Sequence, residues 1–331
     1  MERIFSGIQP TGNLHLGNYL GAVRNWVDLQ SSYECIYCVV DMHAITTFQN
    51  PEELNDNIFE VASILIASGI DINNSILFNQ SRVAMHAELA WIFNCTAKIG
   101  WLNRMTQFKD KAGKNKEKAS AGLYVYPNLM AADILAYKAT HVPVGDDQKQ
   151  HLELTRDIAA SFNDNYNIDY FPLVEPLIIG EATRVMNLRD GSKKMSKSDN
   201  SDFSRINLTD SPEKISAKIK KAKTDSLPVP DSPSELSNRL EAKNLIGIFA
   251  ALMGKTQDEI VKDYGGGTFS VLKDDLTECI IKELQPVGAE IKELLNNKDE
   301  LNKILKEGAY KAEEISRPVL KEVKNIVGFL T

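Results

Sequence analysis

The sequence of 331 residues predicts an α/β protein: a doubly wound parallel sheet with a helical insertion and a C-terminal α-helical domain. Three observations lead to this fold class. Short apolar strands alternate with amphipathic helical patterns through the first half of the chain. A glycine-rich turn at residues 10–18 joins the first strand to the first helix. From about Ser234 onward the sequence is almost wholly helical in pattern.

The strands of the first half are short and bounded by polar or glycine-containing turns. They are predicted at residues 3–8, 36–40, 75–78 and 142–144. Because each is followed by a helical pattern, the strands are expected to run parallel, with right-handed crossovers.

The helices between the strands are marked by caps and apolar stripes. After the first turn, a helix carries Leu20, Val23 and Val27 on one face. Asn50 is predicted to cap a helix that begins at Pro51 and stops at a glycine. Two further helices are predicted, at residues 87–95 and after residues 145–147, the latter with Leu152, Thr155, Ile158 and Phe162 inward.

The sequence divides into three parts. Residues 1–192 form the α/β domain, with its helical insertion at about 82–138. Residues 193–205 form a mobile loop and hinge, and residues 206–331 form the helical domain. The last helix is expected to break at Pro318 and to pack back on the first domain.

Composition places the chain among ordinary globular proteins. Lys and Arg total 38 against 45 Asp and Glu, a net charge of −7, which argues against a protein that coats nucleic acid nonspecifically. No targeting or membrane segment is recognisable. Cys35 and Cys38 have Cys-x-x-Cys spacing, but in a strand their side chains point to opposite faces, so core packing is favoured over a metal site. A cytoplasmic protein is predicted.

The turn at residues 10–18 is suited to phosphate. Gly12 and Gly17 let the backbone approach a ligand, and the helix beyond offers unpaired N–H groups with a partial positive charge. His15 and Asn18 are three residues apart and are expected on one side of the helix entrance. Glycines in such a turn can also serve steric needs alone.

The segment 194–198 reads Lys-Met-Ser-Lys-Ser and is expected to be a flexible loop. Its lysines could follow a pyrophosphate as charge develops in a displacement at phosphorus, and the alternative is a solvated basic loop. A second lysine-rich stretch, residues 108–118, is either a solvated surface loop, which composition favours, or a lid over phosphates.

The turn at residues 10–18 and the segment 194–198 resemble the two signatures of class I aminoacyl-tRNA synthetases, His-Ile-Gly-His and Lys-Met-Ser-Lys-Ser. The first is His15-Leu16-Gly17-Asn18 here, and the second is intact. Five other segments are similar to bacterial tryptophan–tRNA ligases: residues 5–12, 41–46, 105–109, 126–135 and 142–151. The resemblance spans essentially the whole chain. One departure is His15, where these bacterial enzymes often carry threonine, and this leaves open which group donates to the phosphates.

The resemblance implies a Rossmann-like catalytic domain with an ATP site. Its residues would be Gln9, Pro10, Thr11, Gly17, Asn18, Gly145, Asp146, Asp147, Val185, Lys194, Met195, Ser196, Lys197 and Ser198. His15, Lys111, Lys194 and Lys197 would act in catalysis, with the lysines neutralising the departing pyrophosphate.

The resemblance also implies a tryptophan pocket. It would be formed by Phe5, His43, Tyr126, Met130, Asp133, Ile134, Val142, Val144 and Gln148. Asp133 would accept the indole N–H, which relieves part of the cost of an unpaired buried charge. Tyr126 and Gln148 would bind the ammonium group. His43 could equally lie near the substrate or be a core histidine whose hydrogen bonds are satisfied.

The implied activity is ATP-dependent ligation of L-tryptophan to its tRNA through an adenylate, releasing AMP and pyrophosphate. Mg²⁺ would enter with the ATP, and no separate protein metal site is expected. The helical domain would read the anticodon. The lysines at 214–223 are either phosphate contacts or surface charges, and the sequence favours neither. A homodimer and no membrane are expected. The alternatives are a tyrosine–tRNA ligase, a small-molecule adenylyltransferase, and a noncatalytic RNA-binding relative.

Overall fold

A single parallel sheet organises the first half of the chain. The computed structural model describes residues 2–12, 14–108, 116–145, 148–177, 184–197 and 199–330. The sheet strands are β1 (Arg3–Ile8), β2 (Glu34–Val39), β3 (Ile76–Asn79), β4 (His141–Pro143) and β5 (Glu175–Leu177). Their order is β3-β2-β1-β4-β5, and all pairs are parallel. The doubly wound α/β fold predicted from the sequence is confirmed.

Helices cover both faces of this sheet and dominate the described residues that follow it. Those up to the fifth strand are α1 (Leu16–Asn18), α2 (Arg24–Leu29), α3 (Asp41–Ala44), α4 (Pro51–Ala67), α5 (Met85–Thr96), α6 (Ile99–Arg104), α7 (Ala121–Leu135) and α8 (Lys149–Tyr166). A π-helical turn, Tyr19–Val23, joins α1 to α2. As predicted, Asn50 caps α4, accepting the N–H groups of Glu52 and Glu53.

The helices after the sheet are α9 (Pro212–Lys220), α10 (Leu240–Met253), α11 (Gln257–Tyr264), α12 (Phe269–Asn296) and α13 (Lys298–Ile326). Among them, α12 packs on α4, and α13 packs on β3 and α5. Gly308 lets α13 approach closely, because a Cβ there would lie 1.8 Å from the carbonyl oxygen of Leu77 in β3. The expected break at Pro318 is wrong. The helix runs through it, since buried residues on both sides hold it in the core: Ser316 contacts Met85 of α5, and the Val319 carbonyl accepts from the Tyr170 hydroxyl.

The two faces of the sheet belong to two apolar cores. Cys35 packs in one core and Cys38 in the other, both on β2, so the spacing serves core packing as predicted. All four cysteines are free thiols. No helix in the described part of the chain is long and apolar enough to span a membrane.

A two-stranded antiparallel hairpin follows the parallel sheet. It consists of β6 (Met186–Asn187) and β7 (Asp190–Lys194). Lys194 therefore ends a strand, which corrects its assignment to a flexible loop, and Met195 is anchored in the core with 2% exposure. The hairpin fixes where the lysine-serine segment begins.

Candidate active site

A cavity of about 570 Å³ opens at the carboxyl ends of the parallel strands. From β1 the chain adds β2 and β3 on one side of the sheet, and it then adds β4 and β5 on the other side. Open α/β sheets bind ligands in the crevice where the strand order reverses in this way, here between β1 and β4. The walls of the cavity include Gly7 near the end of β1, Val40 after β2 and Leu177 in β5. The topology alone therefore directs attention to this cavity.

All nine residues predicted for the tryptophan pocket line this one cavity. They are Phe5, His43, Tyr126, Met130, Asp133, Ile134, Val142, Val144 and Gln148. Four of them come from one helix, α7, where Met130 and Ile134 are one turn apart and share a face. The apolar members form flat walls, and the polar members are few, as is usual for a small-molecule site.

Asp133 is buried in the wall with 1% exposure and is hydrogen-bonded to three neighbouring side chains. Its Oδ2 lies 2.7 Å from His43 Nε2, and its Oδ1 lies 2.6 Å from both Gln80 Nε2 and His86 Nδ1. Burial alone would raise the pKa of this carboxyl, but its electrostatic interactions and hydrogen bonds with His43 and His86 outweigh burial and hold the pKa below its usual value. The expectation of an unpaired charge is thus wrong: the fold supplies three partners.

His43 is a buried histidine with a satisfied hydrogen bond, and its contact with the substrate stays a prediction. It is 6% exposed and hydrogen-bonded to Asp133, yet it also lines the cavity. Its ring meets Tyr126 edge-on, with centroids 6.0 Å apart. The Tyr126 hydroxyl contacts Gln107 Oε1 at 2.6 Å and His151 Nε2 at 2.8 Å, and burial raises the pKa of Tyr126 to about 12, so the phenol stays neutral at pH 7.

The predicted phosphate-binding turn and the lysine-serine segment come together in space. Lys197 Nζ donates to the carbonyl oxygen of Thr11 at 2.6 Å, and Gly17 lies beside both His15 and Val185. The carbonyl of Val185 accepts the N–H of Met195 at 3.1 Å, which ties the hairpin to the same place. Two segments whose contacting residues, Thr11 and Lys197, are 186 residues apart thus form one wall.

His15 is buried in this wall at 5% exposure, and its Nδ1 has no hydrogen-bond partner among the described residues. Burial first, and then the positive charges of Arg205, Lys194 and Lys197, lower its pKa to about 4. The ring is therefore uncharged at pH 7 and sits among three cations. Such a concentration of positive charge stabilises a polyanion such as a triphosphate.

The turn itself is held by local contacts. Asn18 Oδ1 accepts the backbone N–H of His15 at 3.1 Å, so this side chain caps the helix entrance. Gly12 has φ +65°, and a Cβ there would lie 2.4 Å from Asn57 Oδ1, so no larger residue fits without rearrangement. Pro10 is buried.

The other predicted ATP residues are distributed around the cavity mouth and the hairpin. Gln9 and Gly145 line the cavity, and Ser196 is half-buried beyond β7. Four predicted site residues lie outside the described residues: Lys111, Asp146, Asp147 and Ser198.

The cavity wall also contains residues that sequence reasoning did not assign. Asn25 and Trp26 on α2 and Gln107 after α6 line it. Behind the wall, Gln80 and His86 contact Asp133. Gln107 stands within one of the segments that resemble tryptophan–tRNA ligases, but no pattern in the sequence points to Gln80 or His86.

Comparison with known proteins agrees with this geometry. Residues 1–285 match the family described as class I tRNA synthetases for W and Y. The chain is 53% identical to the tryptophan–tRNA ligase of Brucella melitensis, over 99% of this chain and 98% of the relative. It is 56% identical to that of Caulobacter vibrioides, over 99% and 95%.

Solved structures give the same result. The tryptophanyl-tRNA synthetase of Campylobacter jejuni, complexed with ADP and tryptophan, superposes with a TM-score of 0.84 at 33% identity, covering 99% of this chain and all of that one. The tyrosyl-tRNA synthetase of Archaeoglobus fulgidus, at 20% identity and a TM-score of 0.66, shares the fold alone. The chain therefore belongs to the class I tRNA synthetases for tryptophan and tyrosine, in the branch of the tryptophan–tRNA ligases.

Proposed function

We propose that this chain activates L-tryptophan with ATP and transfers it to its cognate tRNA. The observation that supports this most directly is the cavity itself: nine residues expected to bind tryptophan line it. Gln9 also lines it and stands two residues before Thr11, the contact of Lys197. The full-length identity to tryptophan–tRNA ligases supports the same substrate.

In the first step, the tryptophan carboxylate attacks the α-phosphorus of ATP. A bond forms between carboxylate oxygen and phosphorus, the bond to the bridging oxygen breaks, and pyrophosphate leaves. The nucleophile is already ionised at neutral pH, so no protein base is needed. Catalysis consists of positioning in the cavity and stabilisation of the departing charge by Lys194 and Lys197. We assign Lys111 to the same task.

Asp146 and Asp147, with Gly145, are proposed to bind the ribose, and Gly17, Asn18 and the Val185 backbone to flank the adenosine. Mg²⁺ is proposed to arrive bound to the triphosphate oxygens. Among the described residues, no group of three or more His, Cys, Asp or Glu side chains is arranged to hold a metal ion. Mg²⁺ commonly reaches such sites on substrate phosphates, and bound there it would offset their negative charge.

In the second step, the terminal ribose 2′-hydroxyl of the tRNA attacks the carbonyl carbon of the adenylate, and AMP leaves with the bonding electrons. We propose that residues 206–331 read the anticodon. Lys214, Lys220 and Lys221 are exposed on or just after α9 and are available for phosphate contacts. Lys218 on the same helix is 2% exposed and paired with Asp210. It is therefore neither a phosphate contact nor a surface charge, the two interpretations that the sequence left open for this lysine cluster.

A homodimer is part of the proposal. Trp91 on α5 and Ile99 on α6 expose 67% and 71% of their surfaces, and Phe48 exposes 93%. Exposed apolar side chains of this size mark an interface where they form a contiguous patch. Sedimentation of wild type and of Trp91→Glu tests this: a monomeric wild type would refute it. Free thiols and the nature of the substrates lead us to propose the cytoplasm.

The decisive experiment is exchange of labelled pyrophosphate into ATP, run with each amino acid in turn and with Mg²⁺. Exchange with tryptophan alone is expected. Exchange with tyrosine alone would refute the tryptophan assignment, and absence of exchange in folded, ATP-binding protein would refute adenylation. Charging of tRNA with labelled tryptophan then tests the second step.

A further inference from the structure

Two polar side chains lie behind the cavity wall without touching the cavity. Gln80 follows β3, and His86 is near the start of α5; both are completely buried. Each contacts the same atom, Asp133 Oδ1, at 2.6 Å. A buried cluster of this kind is costly to form unless every member is satisfied, so its hydrogen-bond directions can be worked out.

The direction of the Gln80 amide is fixed from the other side. The backbone N–H of Met42 donates to Gln80 Oε1 at 3.1 Å, so the amide nitrogen must face Asp133. For His86, an ionised carboxylate offers only acceptors, so the ring hydrogen is on Nδ1. Nε2 is then free to accept from the Tyr137 hydroxyl at 2.7 Å. Burial raises the pKa of Tyr137 well above its usual value, so its hydroxyl keeps the proton that it can donate.

These donors use a defined share of the carboxylate. An ionised carboxylate has about four acceptor positions, two on each oxygen. Gln80 and His86 occupy both positions on Oδ1, and His43 occupies one on Oδ2. Counting the described residues, one position on Oδ2 remains, on a residue that lines the cavity.

The same cluster also supports the apolar wall. The Tyr137 ring, fully buried, stacks on Phe5 with centroids 5.6 Å apart and planes 9° apart. Phe5 lines the cavity directly. The hydroxyl that orients His86 and the ring that supports Phe5 therefore belong to one side chain.

We propose that Gln80 and His86 are positioning residues for substrate selectivity: they keep Asp133 ionised and oriented so that a single acceptor meets the indole N–H. This inference rests on the proposed function. It predicts that the preference for a ligand with an N–H depends on residues that the ligand never touches.

The test compares tryptophan with its analogue in which sulfur replaces the indole N–H, β-(3-benzothienyl)alanine. The readout is the ratio of kcat/KM for the two in pyrophosphate exchange. His86→Leu is expected to lower this ratio about tenfold, because Asp133 loses a donor and rotates or takes up a proton. Gln80→Met is expected to act in the same direction, and His86→Asn, which keeps a donor near Nδ1, should retain most of the preference.

Asn128→Ala is the matched control. Asn128 is 1% exposed on α7, the helix that carries Asp133, and it bonds to Asn94 rather than to the cluster. Its replacement loosens the same helix, so it should lower kcat/KM for both ligands equally and leave their ratio unchanged.

The outcomes separate the two proposals. If wild type shows no exchange with tryptophan, the proposed function fails. If wild type exchanges and the ratio in His86→Leu and Gln80→Met equals that of wild type or Asn128→Ala, only the positioning role is refuted. If His86→Leu does not fold, Gln80→Met decides alone.

Discussion

Replacing Lys218 by methionine is predicted to destabilise the protein by about 3–5 kcal/mol, the usual cost of breaking a buried ion pair from one side. The Lys218 ammonium is 2.6 Å from Asp210 Oδ2 and 2.9 Å from Asp202 Oδ2. The side chains of Lys218 and Asp210 are 2% and 5% exposed, whereas Asp202 is half exposed. Methionine keeps the apolar stem and leaves the Asp210 carboxylate buried without its cation.

The effect should reach the phosphate-binding turn. Asp210 Oδ2 also accepts the N–H of Asn207 at 2.9 Å, and the segment that contains Asn207 pairs with that turn. Leu16 donates to the Ile206 carbonyl at 2.8 Å. Loss of the ion pair therefore loosens a wall of the ATP site, and we expect the KM for ATP to rise together with the loss of stability.

The assay is equilibrium unfolding in urea, with thermal unfolding as a second readout, where a drop of about 10 °C in Tm is expected. Lys214→Met is the matched control, since Lys214 is exposed on the same helix and its removal should change stability by no more than about 0.5 kcal/mol. Adding Asp210→Asn to Lys218→Met removes the stranded charge and should restore part of the lost stability. Equal stability of the Lys218 and Lys214 variants would refute the reasoning.

Three further predictions concern separate parts of the molecule. Asp133→Asn is expected to lower the preference for tryptophan over tyrosine in pyrophosphate exchange about tenfold, because one acceptor becomes a donor, while the KM for ATP is unchanged. A preference equal to that of wild type would remove Asp133 from the recognition site. Since the His15 pKa is lowered to about 4, the unfolded chain takes up a proton below pH 6.5 that the folded chain refuses. The free energy of unfolding should therefore fall by about 2 kcal/mol from pH 7 to 5. In His15→Gln, urea unfolding should show a smaller fall over the same pH range, because this proton uptake is missing. Gly308→Ala places a Cβ 1.8 Å from the Leu77 carbonyl and should cost about 3 kcal/mol in thermal unfolding, whereas Gly100→Ala, with nothing within 4 Å, should be neutral.

Four of the five strands of the sheet were predictable because their signals are local, whereas β5 (Glu175–Leu177) was not predicted. The first strand was predicted at residues 3–8 and observed as Arg3–Ile8, and the Asn50–Pro51 start of α4 depends on two adjacent residues. Pro318 shows the limit of local rules. Its lost hydrogen bond is offset by tertiary packing of α13 along β3, which no local window contains.

The cavity was predictable from resemblance, but its support was not. Asp133 looked like an unpaired charge because its sequence neighbours are apolar. Its partners are His43, Gln80 and His86, 90, 53 and 47 residues away along the chain. Likewise Lys218 belongs to a lysine cluster by composition, and only the tertiary structure shows that it is buried against Asp210.

The charge distribution explains how the cavity can orient a substrate that carries charges of both signs. Asp133 fixes a negative charge in one wall, next to the apolar surface of Phe5 and Ile134. Toward the first turn, Gln9 lines the cavity and Lys197 contacts Thr11, two residues further on. A substrate carboxylate is repelled from the first region and attracted to the second, while an indole suits only the first. We propose that this charge distribution aligns the nucleophile with the phosphates, which is the positioning that a reaction without a catalytic base requires.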